Sequence, residues 1–461
     1  MQRFQWLAVT VLLCAASVVN AYTPKSQEVR NMVAKGVTYL EKVKSVDMGR
    51  DCLVALALYK TGKPTSHPKI RAAFGKIGNA IGELEAKQNV HRTYDQACAL
   101  IFLCELNSPS HRNSMQALAT KLMEWQKQNG AWGYDHEPIG DTSQTVFAAL
   151  ALWEARHRQI DVPDDVFRNA LNWLIRTQDP GGGFAYKGED PEDSNGRRIN
   201  QRNPYPCATA AGLGATYICA NALGIEAAIG QGAKTADDEI PPALKFVAVV
   251  DSDGSRISEG DSGVNRVFLL RALTDGNRWF DRNYSIAPTN WYFAPDPWNY
   301  YYLYTLERFR SFQANAEKTK EKEGESPRWY NQGVAYLMKN QSDAGIFGGA
   351  EAENSRLAGP QVSTSLALMF LVRSTQKTIG KLVEEQLKGN QGLQGTGELR
   401  LSKTGRMATE SVTKNVGDLL ALIEEGGSEE DFQELISAQL DTALKGDAKT
   451  KVSRQRFQVR H

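Results

Sequence analysis

Gln126-Lys-Gln-Asn-Gly130-Ala-Trp132-Gly133 is the stretch whose reading decides the fold, because its skeleton, Gln-x-x-x-Gly-x-aromatic, returns elsewhere in the 461 residues. It returns as Gln178-Asp-Pro-Gly-Gly182-Gly-Phe184 and as Gln341-Ser-Asp-Ala-Gly345-Ile-Phe347-Gly348. A worn copy, Gln88-Asn-Val-His-Arg92-Thr-Tyr94, carries arginine in the glycine's place. A short pattern recurring every few tens of residues marks a chain built from stacked supersecondary units. The interval from Gln178 to Gln341 is about three such units long, which predicts two degraded copies inside it.

Working outward, each copy closes an amphipathic helix. Leu118, Leu122 and Trp125 fall at i, i+4, i+7, as do Phe167, Leu171 and Leu174, the one-sided stripe of a helix lying on a core. Pro68, Pro163, Pro242 and Pro327 mark the starts of these outer helices, where a missing N–H is tolerated. After each turn comes a helix apolar almost all round: 98–106, 146–153, 207–219 and 366–372. Weaker members are 52–59, 264–273 and 298–309, making seven second helices. A helix without a polar face belongs inside, and one hairpin cannot bury it alone, so neighbours stack until the row is capped or meets itself. The predicted fold is all-α, six to seven hairpins closing into a double ring.

The segment from Gln126 to Leu152, with Asp141-Thr-Ser143-Gln-Thr145 and Ala148-Ala-Leu-Ala-Leu152 after the turn, resembles the repeat of squalene cyclases and protein prenyltransferase β subunits. The copies at Gln178 and Gln341 carry the same resemblance, which spans about residues 25 to 375. It implies an α/α toroid over residues 22–375, followed by a partly helical extension and basic tail over 376–461. It does not fix a reaction, since this fold carries cyclases, lipid transferases, thioester domains and lyases.

Residues 1–21 read as a signal peptide: Arg3, an apolar run from Trp6 to Val19, and the small-residue site Val19-Asn20-Ala21. The expectation is an exported protein, periplasmic or extracellular. Formal net charge is +1, and Arg3 is the only charged residue in the leader, so the remainder is neutral. Neutrality argues against a broad nucleic-acid face; the basic cluster Lys451, Arg454 and Arg456 reads as a solvated end. Cys52, Cys98, Cys104, Cys207 and Cys219 lie mostly in apolar runs, without a CxxC, and read as buried thiols.

The family's chemistry is missing where it would be sought. There is no Asp-x-Asp-Asp acid, no Asp-x-Cys with a distant histidine for zinc, and no Cys-Gly-Glu-Gln thioester. No cofactor or metal is therefore expected. What remains is a set of candidates facing the lumen. Trp132, Asp135, Glu137 and Asp141 sit at the mouth of an inner helix, the carboxylates serving as acid, base or ligand, or as plain caps beside a solvated loop. The aromatic tract containing Trp291, Tyr292, Trp298 and Tyr301 is suited to an apolar ligand or a sugar face, or to packing between helices.

Three functions are open at this stage. One is a scaffold binding a small molecule, lipid or glycan in the lumen, or a protein partner in the bacterial envelope. Another is a polysaccharide lyase or hydrolase, using Arg197, Arg198 and Arg202 beside Tyr205 to neutralise charge. The third is a terpenoid cyclase with a displaced acid.

Overall fold

The computed structural model describes residues 22–83, 92–191, 198–225, 263–287, 298–319, 321, 325–348, 359–391, 400–401 and 407–408. The described chain is all-α, with thirteen helices and strand confined to two ladders of two residues each.

Helices of two kinds alternate. One set comprises α1 (Gln27–Lys42), α3 (Pro68–Glu83), α5 (Arg112–Glu124), α7 (Asp164–Arg176), α9 (Arg266–Asn283) and α11 (Arg328–Asn340). These are amphipathic: α7 buries Val166, Phe167, Ala170, Leu171, Trp173 and Leu174, and turns its polar side outward. The other set comprises α2 (Met48–Lys60), α4 (Arg92–Leu106), α6 (Thr142–His157), α8 (Pro206–Ala222), α10 (Asn299–Ala316) and α12 (Pro360–Leu371). These are buried nearly all round, α6 without a break from Thr142 to Ala155.

The second set packs in sequence, α2 on α4, α4 on α6, α6 on α8, α8 on α10 and α10 on α12; α12 then packs back on α2. Their contacts form a closed cycle. The amphipathic helices flank it, α3 on α2, α5 on α4, α7 and α9 on α8, and α1 on α12. Among the described residues this makes six hairpins.

The sequence reading placed 264–273 among the inner helices, and the structure corrects this. α9 buries only the stripe Leu269, Ala272, Leu273, Gly276 and Phe280, leaving Val267 and Phe268 exposed. It is the outer partner of α10. The apolar run 267–270 masked the polar face formed by Arg271, Asp275 and Arg278. Between Gln178 and Gln341 the described residues therefore hold one further complete hairpin rather than two. In the worn copy, residues 88–91 lie outside the described residues, and Tyr94 sits on α4 itself instead of in a turn.

The three intact copies share one bonding scheme. The side-chain amide of Gln126 donates to Gly130 O at 2.8 Å and Val166 O at 2.9 Å, and that of Gln178 to Gly182 O and Ala272 O, both at 2.8 Å. Gln341 donates to Gly345 O at 3.3 Å and Met32 O at 2.9 Å. Each glutamine thus closes its own turn and grips the outer helix of the next hairpin. The glycines have φ of +99°, +103° and +84°, and a Cβ on any of them would collide with the carbonyl of Asn169, Asp275 or Lys35, three residues beyond the gripped carbonyl. The aromatic residue then seals the turn: the backbone N–H groups of Trp132, Phe184 and Phe347 donate to Thr145, Thr209 and Thr364 at 3.0 to 3.1 Å.

α13 (Ser374–Gln391) packs on α10 and α12 and reaches across to α2, where Lys60 Nζ donates to Thr378 Oγ1 at 2.7 Å. The buried Glu307 accepts from the backbone N–H groups of Thr375 and Gln376, holding the start of α13 over the C-terminal ends of the inner helices. Residues 409–461, most of the partly helical extension and basic tail expected from sequence, lie outside the described residues, as do residues 1–21, read as a signal peptide. No helix among the described residues is long and apolar enough to cross a membrane.

Candidate functional site

With α13 over one end of the cycle, the other end holds a cavity of about 1170 Å³, its open mouth included. Every inner helix lines it: Leu53 from α2, Cys98 from α4, Phe147 from α6, Ala211 from α8, Tyr301 from α10 and Leu366 from α12. The lining positions fall in the first turns of these helices. Ala208 and Ala211 keep space open there, whereas deeper on α10 Tyr304 and Arg308 pack against the Phe147 ring.

A polar arc interrupts this apolar wall. Asp141 caps α6, its Oδ1 accepting from the N–H groups of Ser143 and Gln144 at 2.9 Å each. The Ser143 hydroxyl also donates to Asp141 Oδ1 at 2.6 Å, so the Tyr94 phenol, 2.6 Å from Ser143 Oγ, is the donor in that pair. Tyr94 and Ser143 line the cavity, while Asp141 is buried behind them. The ladder pairing Gly140–Asp141 with Lys187–Gly188 brings Tyr186 alongside, its phenol 2.9 Å from that of Tyr134. Burial raises the Asp141 carboxyl above the usual range, although the bonds from Ser143, Gln144 and Tyr186 oppose the shift. Burial likewise raises the phenols of Tyr186, Tyr205 and Tyr301, so the arc presents neutral hydroxyls.

Beneath the cavity the axis becomes charged. Lys60 pairs with Glu105, which also accepts from Thr378, and Arg158 donates to Cys104 O at 2.8 Å. Burial opposes ionisation of Glu105, yet Lys60 and Thr378 outweigh it and hold the carboxyl below its ordinary range. Among the described residues Glu154 forms no such salt bridge. Burial first, and the charge of Glu105 second, push it up to about 8.

The residues singled out from sequence divide sharply. Trp298 and Tyr301 line the cavity; Trp291 and Tyr292 lie outside the described residues. Trp132 is 1 % exposed and sealed in its turn, its indole N–H donating to Leu122 O at 2.7 Å. Asp135 is on the surface, and Glu137 pairs with Lys187. Of the three arginines, Arg198 is bound to Gln178 and Asp275 on the outer layer, Arg202 is exposed, and Arg197 lies outside the described residues. Arg50, at the cavity wall, is paired with Asp47 at 2.8 Å.

Sequence reading missed Tyr94, Tyr134, Ser143, Phe147 and Tyr186 as members of one wall. The available signal was phase: first-turn positions of successive inner helices face the axis together. The five cysteines among the described residues are buried free thiols, but Cys98 and Cys207 also reach the cavity wall. Among the described residues, no three His, Cys, Asp or Glu side chains converge as a metal site would require. No protein-family model matches the chain, and no curated protein matches it.

Proposed function

We propose that this chain is an α/α toroid whose function is to bind an apolar ligand in its axial cavity, a scaffold of the squalene cyclase and prenyltransferase type without their chemistry. The observation that carries this reading is the cavity wall itself, apolar residues drawn from all six inner helices around one open mouth. Such convergence of distant segments on a concave apolar surface is the usual form of a small-molecule site. The leader at 1–21 makes the working place outside the cytoplasm.

The site favours a lipid or isoprenoid over a charged glycan. The cation at the wall, Arg50, is already paired, and Arg198 is turned to the outer layer. Titration of the purified protein with a hydrocarbon-chain alcohol, followed by calorimetry, should show saturable binding that an Ala211→Trp variant loses while keeping its helical circular dichroism. Saturation that survives in that variant would place the ligand elsewhere.

One observation supports a second, catalytic reading. The line Tyr94, Ser143, Asp141 connects a buried carboxyl to the cavity surface by hydrogen bonds of 2.6 Å, a path along which a displaced acid would deliver its proton once both hydroxyls reverse their donation. Incubation with squalene is expected to return it unchanged. Turnover abolished by Asp141→Asn would replace the binding reading with this one.

A further inference from the structure

The inner helices bury one cation that forms no salt bridge among the described residues. Arg308, on α10, has no exposed surface, and among the described residues none of its three guanidinium nitrogens makes a hydrogen bond of ordinary geometry. It lies instead between two aromatic faces, 4.9 Å from the centre of the Phe147 ring and 4.4 Å from that of Tyr304. Cation–π contact offsets only part of what a guanidinium loses on leaving water. The neighbouring charges are otherwise settled: Lys60 holds Glu105, and Glu307 holds the start of α13.

A candidate counter-charge is Glu154, which is buried, feels the charge of Arg308 and forms no ion pair within 4 Å among the described residues. Its carboxyl is pushed up to about 8, so near neutral pH it is largely protonated and leaves the positive charge of Arg308 standing. A buried, unpaired charge is costly enough that it persists where something else answers it.

The position of Arg308 says from which side an answer can come. It stands seven residues beyond Tyr301 on the same helix, about 10 Å further along the axis at 1.5 Å per residue. Tyr301 lines the cavity, and so does Phe147, whose ring the guanidinium covers. Phe147 thus borders both the cavity and the cation, and a rotamer change at this ring is the movement by which a ligand head would reach Arg308, of a kind ligands commonly induce.

We propose that the ligand of the axial cavity is an amphiphile with a single carboxylate, whose chain fills the apolar wall and whose head pairs with Arg308. The proposal rests on the apolar-ligand reading above and names its chemical class. One guanidinium matches one carboxylate in charge and in its two-pronged geometry. A diphosphate head would bring several negative charges to a site offering one free cation among the described residues.

The test compares dodecanoate with 1-dodecanol by calorimetry on the intact protein at pH 7. Dodecanoate should bind about ten- to a hundredfold more tightly, the range expected for hydrogen bonds to a charged group. In Arg308→Met, checked for native helical content, the ratio of the two affinities should fall to near one. Equal affinities in the wild type would overturn the proposal and leave Arg308 as a packing residue, with the apolar-ligand reading intact. A preference for dodecanoate that persists in Arg308→Met would overturn it by placing the head elsewhere. Binding of neither compound would overturn both readings together.

Discussion

The side-chain amide of Gln341 donates to the backbone carbonyl of Met32 at 2.9 Å, joining the outer helix of the first hairpin to the turn of the last. The same donor type in Gln126 and Gln178 reaches forward to α7 and α9, the next outer helices in the chain. From Gln341 the bond is made to the first hairpin instead. The pairing of α12 with α2 repeats this closure in the inner layer. Closure in both layers is why the cavity has six walls rather than an open side.

Replacing Gln341 with leucine is expected to lower stability by about 1 to 3 kcal/mol, because the carbonyls of Met32 and Gly345 lose their donor in a partly buried setting. A urea transition measures this, with an unchanged slope indicating that the same surface unfolds. Native-state hydrogen exchange should show α1 loosening first. A variant as stable as the wild type would show that the clasp does not hold the ends.

Gly182→Ala should be more damaging than most single changes on the outer layer. Its φ of +103° is one that alanine adopts poorly, and the added methyl would run into the backbone carbonyl of Asp275. The neighbour is helix backbone and has little room to give. A loss on the order of 2 kcal/mol or more in thermal or urea unfolding is expected, reading the cost as strain plus displacement of α9.

Glu154 gives a pH dependence whose sign follows from its burial. Its carboxyl titrates at about 8 in the folded chain against 4.5 ordinarily, so between those values the folded state keeps a proton that the unfolded state has shed. Stability should therefore fall as pH rises through this window, by up to ~1.4 kcal/mol per pH unit for one proton. Glu105, held low by Lys60, acts oppositely and in a lower window, its contribution being lost as the medium becomes acid. Unfolding midpoints of wild type and Glu154→Gln at pH 5.5, 6.5 and 8 separate the two. The variant's profile should be the flatter across this range, and parallel profiles would assign the proton to another group.

Two tryptophans read alike in sequence should respond differently to removal. Trp132→Ala empties a sealed core position whose indole is hydrogen-bonded, with an expected cost of about 3 to 5 kcal/mol. Trp298→Ala removes a half-buried ring from the cavity wall, so binding of 1-dodecanol should weaken while the unfolding midpoint moves little. Matched losses of stability in both variants would return Trp298 to the packing core.

Periodicity and turn chemistry in the chain itself determined the all-α class, the alternation of amphipathic with fully apolar helices, and the three glutamine turns. These are local properties: a 3.6-residue stripe, a glycine at positive φ and an aromatic two residues later are written in neighbouring residues. Tertiary structure decided the rest. Whether 267–270 lies on an inner or an outer helix depended on what packs against it, and α9 exposes Val267 and Phe268 because its polar neighbours set the face. Trp132 and Trp298 could not be told apart by type, since burial of an aromatic ring is set by segments far away in sequence. The wall of the cavity, with Tyr94, Ser143, Phe147 and Tyr301 side by side, exists only once six helices meet around one axis. The same holds for Arg308, an ordinary residue in the sequence of α10 whose burial between the rings of Phe147 and Tyr304 is set by the helices packed around it.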